Sequence, residues 1–600
     1  MGRPGRIDLK AFSSRRAEAT RGESREAGGF SLWRFVVLAT IGFVLLVASA
    51  CSTSHYRESA DKDVYESIDL MQKALFGESE DFTVDTRYSK REIEEIMASE
   101  IIQDRMEEGT LKLDLEGALQ VAVAFSREYQ TDKEALYLSA LSLEGAELAF
   151  FTVFSGTSTG RIDREGDQSG KLSLDSNGTA RKAFRTGGMI TASLGNDLIR
   201  YFTGDPRRSL VNALSLNLTQ PLLRGAGRSI AGNSLLQAER NLIYQCRTHA
   251  FFQNDFAVGV VKDYFTLLGA KVNLRNNYTN YLRSVQQRIR AESRAQFLGS
   301  PFDAQLARTT ELDAKNAYIG GVANFQRDLD RFKLKLGVPL SVNVYLEDSD
   351  LMDLRQTGLP ETSIDENEAI EVAVESYLPL LNEIDRYEDR KRNVRIKANE
   401  FLPGLDFKSD ASLNWDDEEN YVDFDVDDVI ANSRLELDLP INRWKQRNDY
   451  RDLIIKFEAG IRTLARNLDD RRNAVANGIR ALERNRNTYL INVEKQKNTK
   501  ARLDEQDIKS LAGSVDQQEY IFAQNAYIQA QNAVTDSLVN VLSSKLDLQL
   551  NLGVLDASAS RFWLDKKILE TSSRREEPKT AEEIQMVPPH ELFKENENTN

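Results

Sequence analysis

The hydrophobic and polar positions of the chain follow two different periods. In residues 516–552, apolar side chains recur in alternating steps of four and three, from Tyr520 through Val534 to Leu552, which predicts a helix packed as in a coiled coil. In shorter stretches, apolar and polar residues alternate strictly, which predicts strands with one apolar face. The strands predicted from this alternation contain Ile190 and Leu194, Leu214 and Leu218, Leu405 and Leu413, and Leu435 and Leu439. The sequence therefore predicts a mostly α fold with a small β part.

These elements are arranged as two copies of one unit. Leu-Lys-Leu-Gly-Val at 334–338 recurs as Leu-Asn-Leu-Gly-Val at 550–554, and three weaker matches follow the same order. Each copy predicts an opening helix, two strands, a very long helix, and a half-length helix after a Gly-Ser turn. The predicted helices are 116–148, 229–297 and 302–336 in the first copy, and 368–400, 443–509 and 516–552 in the second. The first copy also carries an insertion rich in Gly, Ser, Asp and Arg, which we assign to residues 156–186.

The predicted organisation of the chain has six parts. They are a lipoprotein-type signal segment (1–50), an acidic N-terminal segment expected in the periplasm (51–115), the first repeat (116–340), a connector (341–367), the second repeat (368–556) and a polar C-terminal tail expected to be partly disordered (557–600).

The first fifty residues have the pattern of an export signal. Residues 35–50 form an uncharged run that follows eight basic residues and ends in small residues before Cys51. This pattern resembles a bacterial lipoprotein signal, and the resemblance implies cleavage before Cys51 and acylation of its thiol. It also implies sorting to the outer membrane of a Gram-negative-type bacterium. An uncleaved N-terminal anchor and an ordinary signal peptide remain open.

Composition excludes several classes of function. With 78 basic and 93 acidic residues the net charge is −15, which disfavours binding to nucleic acid. Two cysteines exclude a disulfide scaffold, and three histidines far apart in the sequence give no metal-ligand pattern. No arrangement typical of nucleophilic or metal-dependent catalysis is visible. We therefore expect a protein that is not an enzyme and has no metal site and no cofactor.

The predicted strands have two possible environments. An ordinary half-buried antiparallel sheet has one apolar and one polar face, and so does a strand of an outer-membrane barrel. The lipoprotein-type signal favours the barrel. Four strands are too few to close one, and open strand edges are not tolerated in lipid. Strands in a bilayer would therefore require several copies of the chain, and three copies of four strands would make twelve.

At this point the chain resembles the TolC-type outer-membrane efflux proteins. The resemblance is carried by LSLNLTQPLLRGAG at 214–227, by the duplicated helix turns, and by the Leu-Gly-Val endings. It implies a homotrimer with a periplasmic α-helical tunnel and a 12-stranded outer-membrane β-barrel to which each chain gives four strands. It also implies a passive exit duct of a tripartite efflux or type I secretion system, partnered by a periplasmic adaptor and an inner-membrane RND or ABC transporter. A lipid-anchored coiled-coil scaffold without a pore remains the alternative.

The resemblance also implies functional roles for the two helix turns. In this family the turns contact the adaptor, and the matching residues here are Gly299, Ser300 and Asp303 in the first copy and Gly513, Ser514 and Asp516 in the second. Acidic residues near the second turn narrow the entrance, which here gives an acidic ring of Asp507, Asp516 and Glu519. Two simpler interpretations remain open. Ser300 and Ser514 have the positions of helix N-caps, and the carboxylates have those of a solvated helix face.

Overall fold

The computed structural model describes residues 53–568, except for 80, 166–167, 202–207, 298–299, 361–363, 416–425 and 513. The predicted signal segment with Cys51, the turn residues Gly299 and Gly513, and residues 569–600 therefore lie outside the described residues. The chain divides into two units, Met1–Asp63 and Val64–Asn600. Of the first unit the structure describes only residues 53–63, which are helical.

The described helices and strands alternate in blocks along the chain. The helices are α1 (Thr53–Phe76), α2 (Ala98–Met106), α3 (Leu115–Phe125), α4 (Arg127–Leu148), α5 (Arg228–Ala231), α6 (Asn233–Ala295), α7 (Pro301–Leu336), α8 (Ser349–Thr357), α9 (Glu366–Ser376), α10 (Leu378–Asn399), α11 (Trp444–Leu511) and α12 (Gln517–Leu552). The strands are β1 (Gly109–Leu113), β2 (Thr152–Glu165), β3 (Gln168–Ala183), β4 (Met189–Tyr201), β5 (Arg208–Pro221), β6 (Val342–Leu346), β7 (Gly404–Trp415) and β8 (Ile430–Asp438).

Two long helical hairpins dominate the fold, as the duplicated sequence predicts. Helix α6 has 63 residues and packs against α7, and helix α11 has 68 residues and packs against α12. Neither long helix contains a proline, so each runs uninterrupted for roughly 100 Å. Helices α4 and α10 pack beside α6 and α11 respectively, and α12 packs against α6. The contact between α6 and α12 joins the two hairpins.

The opening helix of each copy is broken in two, which corrects the prediction of one continuous helix. The backbone is extended at Ser126, between α3 and α4, and at Tyr377, between α9 and α10. Each break packs against the left-handed glycine that ends the last helix of the same copy, Gly337 or Gly553. The duplicated Leu-Gly-Val endings therefore occupy equivalent positions in the two copies.

The main sheet has six strands rather than the predicted four. Its order is β2-β3-β4-β5-β7-β8, and every neighbouring pair is antiparallel. The two additional strands are β2 and β3, which contain the insertion at 156–186. The alternation rule misses them because β2 is built mainly from Ser, Thr, Gly and charged residues. A separate parallel pair, β1 and β6, joins the N-terminal segment to the connector.

The largest apolar core lies where the two copies meet. It contains Tyr264 and Phe265 of α6, Phe332 of α7 and Leu542 of α12. Trp563 is buried in the same core, so residues 557–568 are packed although the sequence predicts a polar tail. Lys545 of α12 holds this segment, since its Nζ donates to the carbonyl oxygens of Trp563 at 2.8 Å and Asp565 at 2.6 Å.

A second core forms between α1, α4 and α6. It buries Leu136, Leu242 and Cys246. Burial raises the pKa of the Cys246 thiol to about 12, so the thiol stays protonated and unreactive. None of the helices described between residues 53 and 568 is long and apolar enough to cross a membrane.

Candidate functional site

The first hairpin turn begins helix α7 as the sequence predicts. Ser300 is the N-cap, and its Oγ accepts a hydrogen bond from the backbone N–H of Phe302 at 3.2 Å. Pro301 takes the first helical position, where a missing N–H does no harm. Asp303 lies in the first turn of α7, where a negative charge is favoured by the helix dipole. The capping interpretation of Ser300 is therefore confirmed.

The second turn uses a different cap from the one predicted. The N-cap of α12 is Asp516, whose Oδ1 accepts from the backbone N–H groups of Gln518 at 2.8 Å and Glu519 at 3.3 Å. The backbone becomes helical only after Asp516, so Ser514 lies two residues too early to cap it. The N–H of Ser514 instead donates to the carbonyl oxygen of Lys509 at 3.1 Å and closes the end of α11. The predicted capping role of Ser514 is wrong.

The three acidic residues predicted to form a ring all lie at this second turn. Asp516 and Glu519 are exposed, and Asp507 is half-buried and accepts a hydrogen bond from Tyr520 Oη at 2.8 Å. Burial and the neighbouring Asp507 raise the pKa of Tyr520, so its hydroxyl remains a donor. The nearby Asp504 and Glu505 form ion pairs with Lys500 and Lys509 of the same helix.

Both turns also expose large apolar side chains that the sequence analysis did not identify. Phe297 is 83% exposed and Phe302 60% exposed at the first turn, while Ile508 and Leu511 are 68% and 76% exposed at the second. Exposed apolar groups of this size, clustered with polar neighbours, are typical of a surface that binds another protein. The available sequence signal was the presence of large apolar residues directly beside the predicted turns.

Near the turns, polar side chains hold the two hairpins together. Gln524 of α12 donates from Nε2 to Asn280 Oδ1 at 2.9 Å and to Ser284 Oγ at 2.8 Å, both on α6. Closer to the turns, Gln287 of α6 and Ser510 of α11 are buried and hydrogen-bonded at 3.4 Å. Hydrogen bonds of this kind can be exchanged for bonds to water when the helices separate, at a lower cost than exposure of an apolar seam.

Away from the strand ends, the six-stranded sheet has one face without charged side chains and one polar face. On the uncharged face, Leu194, Leu214 and Leu435 remain 52%, 44% and 66% exposed. On the polar face, charged side chains pair across strands, with Lys408 and Glu436 at 2.8 Å, and Arg434 and Asp410 at 2.7 Å. A half-buried sheet of a water-soluble domain would have its apolar face covered by other elements. In the part of the chain that the structure describes, no other element covers these three leucines.

Polar side chains that interrupt the uncharged face bond to each other across neighbouring strands. Ser158 pairs with Ser176 at 2.8 Å between β2 and β3, and Ser409 pairs with Ser433 at 3.0 Å between β7 and β8. Asn196 donates to Asn212 between β4 and β5. Mutual pairing of this kind reduces the cost of placing hydroxyl and amide groups in an apolar medium.

Among the residues that the structure describes, no cluster of three His, Cys, Asp or Glu side chains is arranged to hold a metal ion. The described cavities are open grooves between helices or beneath the sheet, and no set of nucleophile, base and orienting groups converges in them.

No protein-family model matches the chain, and no curated protein sequence matches it. Solved structures do. The outer membrane protein VceC from Vibrio cholerae is similar with a TM-score of 0.54 and 11% identity, over 73% of this chain and 96% of VceC. The CmeC outer membrane channel of Campylobacter jejuni is similar with a TM-score of 0.54 and 13% identity, over 77% of this chain and 90% of CmeC. The open state of the MtrE outer membrane channel of Neisseria gonorrhoeae is similar with a TM-score of 0.53 and 12% identity, over 73% of this chain and 89% of MtrE.

These similarities show the fold. The chain shares its architecture with outer-membrane channels of the TolC type, as the sequence resemblance predicted.

Proposed function

We propose that this protein is a passive exit duct of the outer membrane, opened at its hairpin turns by partner proteins. The open, uncharged face of the sheet carries this proposal. Because its apolar side chains are exposed and its polar interruptions are paired, the face suits contact with lipid. The opposite face, with its cross-strand ion pairs, suits a water-filled lumen.

A duct of this design requires several copies of the chain. One sheet cannot enclose a lumen, and its outer strand edges would be costly in a bilayer. We propose a homotrimer, in line with the fold shared with known outer-membrane channels. The helical hairpins of the three copies would together form a tunnel on the periplasmic side. Acylation of Cys51 would add a lipid anchor at the start of the mature chain.

The hairpin turns are the proposed contact with a periplasmic adaptor. The predicted contact residues Ser300, Asp303, Ser514 and Asp516 lie at these turns, beside the exposed Phe297 and Leu511. An adaptor with an apolar docking patch would cover these side chains. The adaptor would connect the duct to an inner-membrane transporter of the RND or ABC class, which would supply the energy.

The second turn is the proposed entrance. Asp516 and Glu519 are exposed there, and in a trimer they would be repeated by the threefold axis. A ring of carboxylates attracts cations and repels anions. Opening would separate the second hairpin from the first, which breaks the contacts of Gln524 with Asn280 and Ser284 and of Gln287 with Ser510.

The test is the ion conductance of full-length, detergent-extracted protein in a planar lipid bilayer. We expect discrete, cation-selective current steps that are reduced by millimolar divalent cation. Current steps that do not respond to the divalent ion would support the proposed duct but contradict the proposed acidic entrance. Folded oligomers that never insert would contradict the duct and favour the alternative, a lipid-anchored scaffold.

A further inference from the structure

The hairpin formed by β2 and β3 occupies the edge of the sheet that a four-stranded version would leave open. In a four-stranded sheet, β4 and β8 would be the two edge strands. Here β4 pairs with β3 along Met189–Tyr201 on one side and with β5 on the other. Both sides of β4 are therefore hydrogen-bonded within the chain. Among the described strands, the outer edges now belong to β2 and β8.

This hairpin is an integral part of the sheet. Strand β3 pairs with β4 from Lys171 to Ala183, which is nearly the full length of both strands. Strand β2 pairs in turn with β3 over the whole of Thr152–Glu165. The hairpin therefore lies beside β4, level with it, and does not project from the end of the sheet as a loop would.

The hairpin also continues the two faces of the sheet. The register places Phe154, Gly156, Ser158, Gly160 and Ile162 of β2 on the uncharged face. On β3 the same face carries Leu172, Leu174, Ser176, Gly178 and Ala180, again without a charge. Within 153–163 and 171–181 the charged residues all fall on the polar face: Arg161, Asp163, Lys171, Asp175 and Arg181. Lys182, at the end of β3, falls on the other face.

The two edge strands expose apolar side chains on the uncharged face. Phe154 and Ile162 of β2 are 78% and 79% exposed, and Leu435 and Leu437 of β8 are 66% and 57% exposed. Leucines of the interior strands are less exposed on this face, with Leu194 of β4 at 52%, Leu214 of β5 at 44% and Leu413 of β7 at 6%. In a bilayer the backbone groups along both edges need partners, because lipid supplies none. Since the sheet has an even number of strands, β2 and β8 run in opposite directions, so β8 can pair antiparallel with β2 of a second copy.

We propose that β2 is the docking edge for β8 of a neighbouring copy, and that three copies of this six-stranded sheet close an eighteen-stranded barrel. This inference rests on the proposed trimeric duct and changes its bore. With strands about 4.8 Å apart and tilted by about 40°, twelve strands give a barrel roughly 24 Å across and eighteen give one roughly 36 Å across. The wider ring is in the range of barrels that leave an aqueous channel.

Paired cysteines in the full-length protein test which strand meets β8. One cysteine replaces Asn432 on the polar face of β8. The other replaces Ser155, Thr157 or Thr159 on β2, and these three positions sample different pairing registers between β8 and β2. The matched control joins Asn432→Cys to Thr191→Cys or Ser193→Cys on β4. A thiol cross-linker with a reach of about 8 Å spans one strand spacing but not the three that would separate β8 from β4 of a neighbour. Cys246 is buried and can stay in place.

We expect covalent dimers and trimers on denaturing gels from a β2 pair and none from the β4 pairs. In a variant that lacks 152–183 the edge of β4 is freed, and there the β4 pair should cross-link. Cross-links from β4 in the full-length chain would overturn the inference, and so would conducting trimers that cross-link at neither strand. The absence of both trimers and conductance would contradict the proposed duct itself, and the inference with it.

Discussion

A Cβ atom placed on Gly553 would lie 2.5 Å from the carbonyl oxygen of Ser376, which is inside van der Waals contact. In the first copy the corresponding Cβ on Gly337 would lie 2.0 Å from the carbonyl oxygen of Phe125. Both glycines have positive φ, 75° and 78°, and both end the last helix of their copy. The same steric requirement therefore explains why the Leu-Gly-Val motif occurs twice in the sequence.

We predict that Gly553→Ala lowers the free energy of unfolding by roughly 2–4 kcal/mol, from left-handed strain of about 1 kcal/mol and the clash with the Ser376 backbone. Gly77→Ala is the matched control, since Gly77 also has positive φ, 82°, but no atom lies within 4 Å of its added Cβ. Denaturant unfolding of the detergent-extracted protein measures both. Equal losses in the two variants would show that the close approach contributes nothing.

Two substitutions at Asp516 separate helix capping from charge. Asparagine can still accept the hydrogen bonds from Gln518 and Glu519, so Asp516→Asn should keep the stability of α12 and reduce cation selectivity and block by divalent ions. Asp516→Ala should lose both the helix cap and the charge, so cation selectivity should fall and the protein should be less stable by about 1 kcal/mol. The measurements are reversal potential in bilayers and thermal unfolding. Unchanged selectivity in Asp516→Asn would leave Asp516 as a cap alone.

Linking the second turns of a trimer should hold the duct closed. In Asp516→Cys protein, a reducible thiol cross-linker should produce covalently linked chains and a large fall in conductance, restored by reductant. Lys497→Cys on the preceding helix α11 serves as a control, because Lys497 is 77% exposed and lies away from the turn. Full conductance in cross-linked Asp516→Cys trimers would contradict opening at this turn.

The buried Lys545 should make stability depend on alkaline pH. Burial lowers the pKa of Lys545 from its ordinary value of 10.5 to about 8. Between these values the unfolded chain holds the proton and the folded chain has released it, so the free energy of unfolding rises with pH. We expect a rise of roughly 3 kcal/mol from below pH 8 to above pH 10.5.

The variant Lys545→Met should lack this rise, because it has no group that titrates there. Unfolding of wild type and variant, measured side by side from pH 7 to about 11, tests the assignment. If both chains show the same rise, another group is responsible. The variant also lacks the hydrogen bonds from Lys545 to the carbonyl oxygens of Trp563 and Asp565. The test therefore compares how the free energy of unfolding changes with pH in each protein, and not its absolute value.

The sequence was sufficient to predict the parts of the fold in which hydrophobic residues are regularly spaced. Helix α12 follows from its 4,3 seam, the long helices from the repeated unit, and strands β4, β5, β7 and β8 from the strict alternation. Breaks at Ser126 and Tyr377 were not predicted, because they are caused by glycines distant in sequence that pack against them. Strand β2 was missed because Gly156, Ser158 and Gly160 on its uncharged face give no hydrophobic signal.

At the candidate site the sequence located the two helix turns, and the contact and entrance roles assigned to their residues stay predictions. The turns were located from the repeat, and Ser300 was identified as a cap from the adjacent Pro301. Ser514 was assigned as a cap in error because Asp516, two residues later, competes for the same helix end and its carboxylate is a good acceptor for the free N–H groups. The contacts of Gln524 with Asn280 and Ser284 require knowledge of which helices pack, and the local sequence does not contain it.

The hairpin of β2 and β3 lies between α4 and β4, within the first repeat but outside its long helices. A gain or loss of that one segment changes the perimeter of the sheet and leaves the helical hairpins and their turns unaltered. If three sheets close a barrel as proposed, the width of its outlet is set by a segment that takes no part in the proposed contact with partners. Deletion of 152–183 would then narrow the outlet and leave the machinery at the opposite end unchanged.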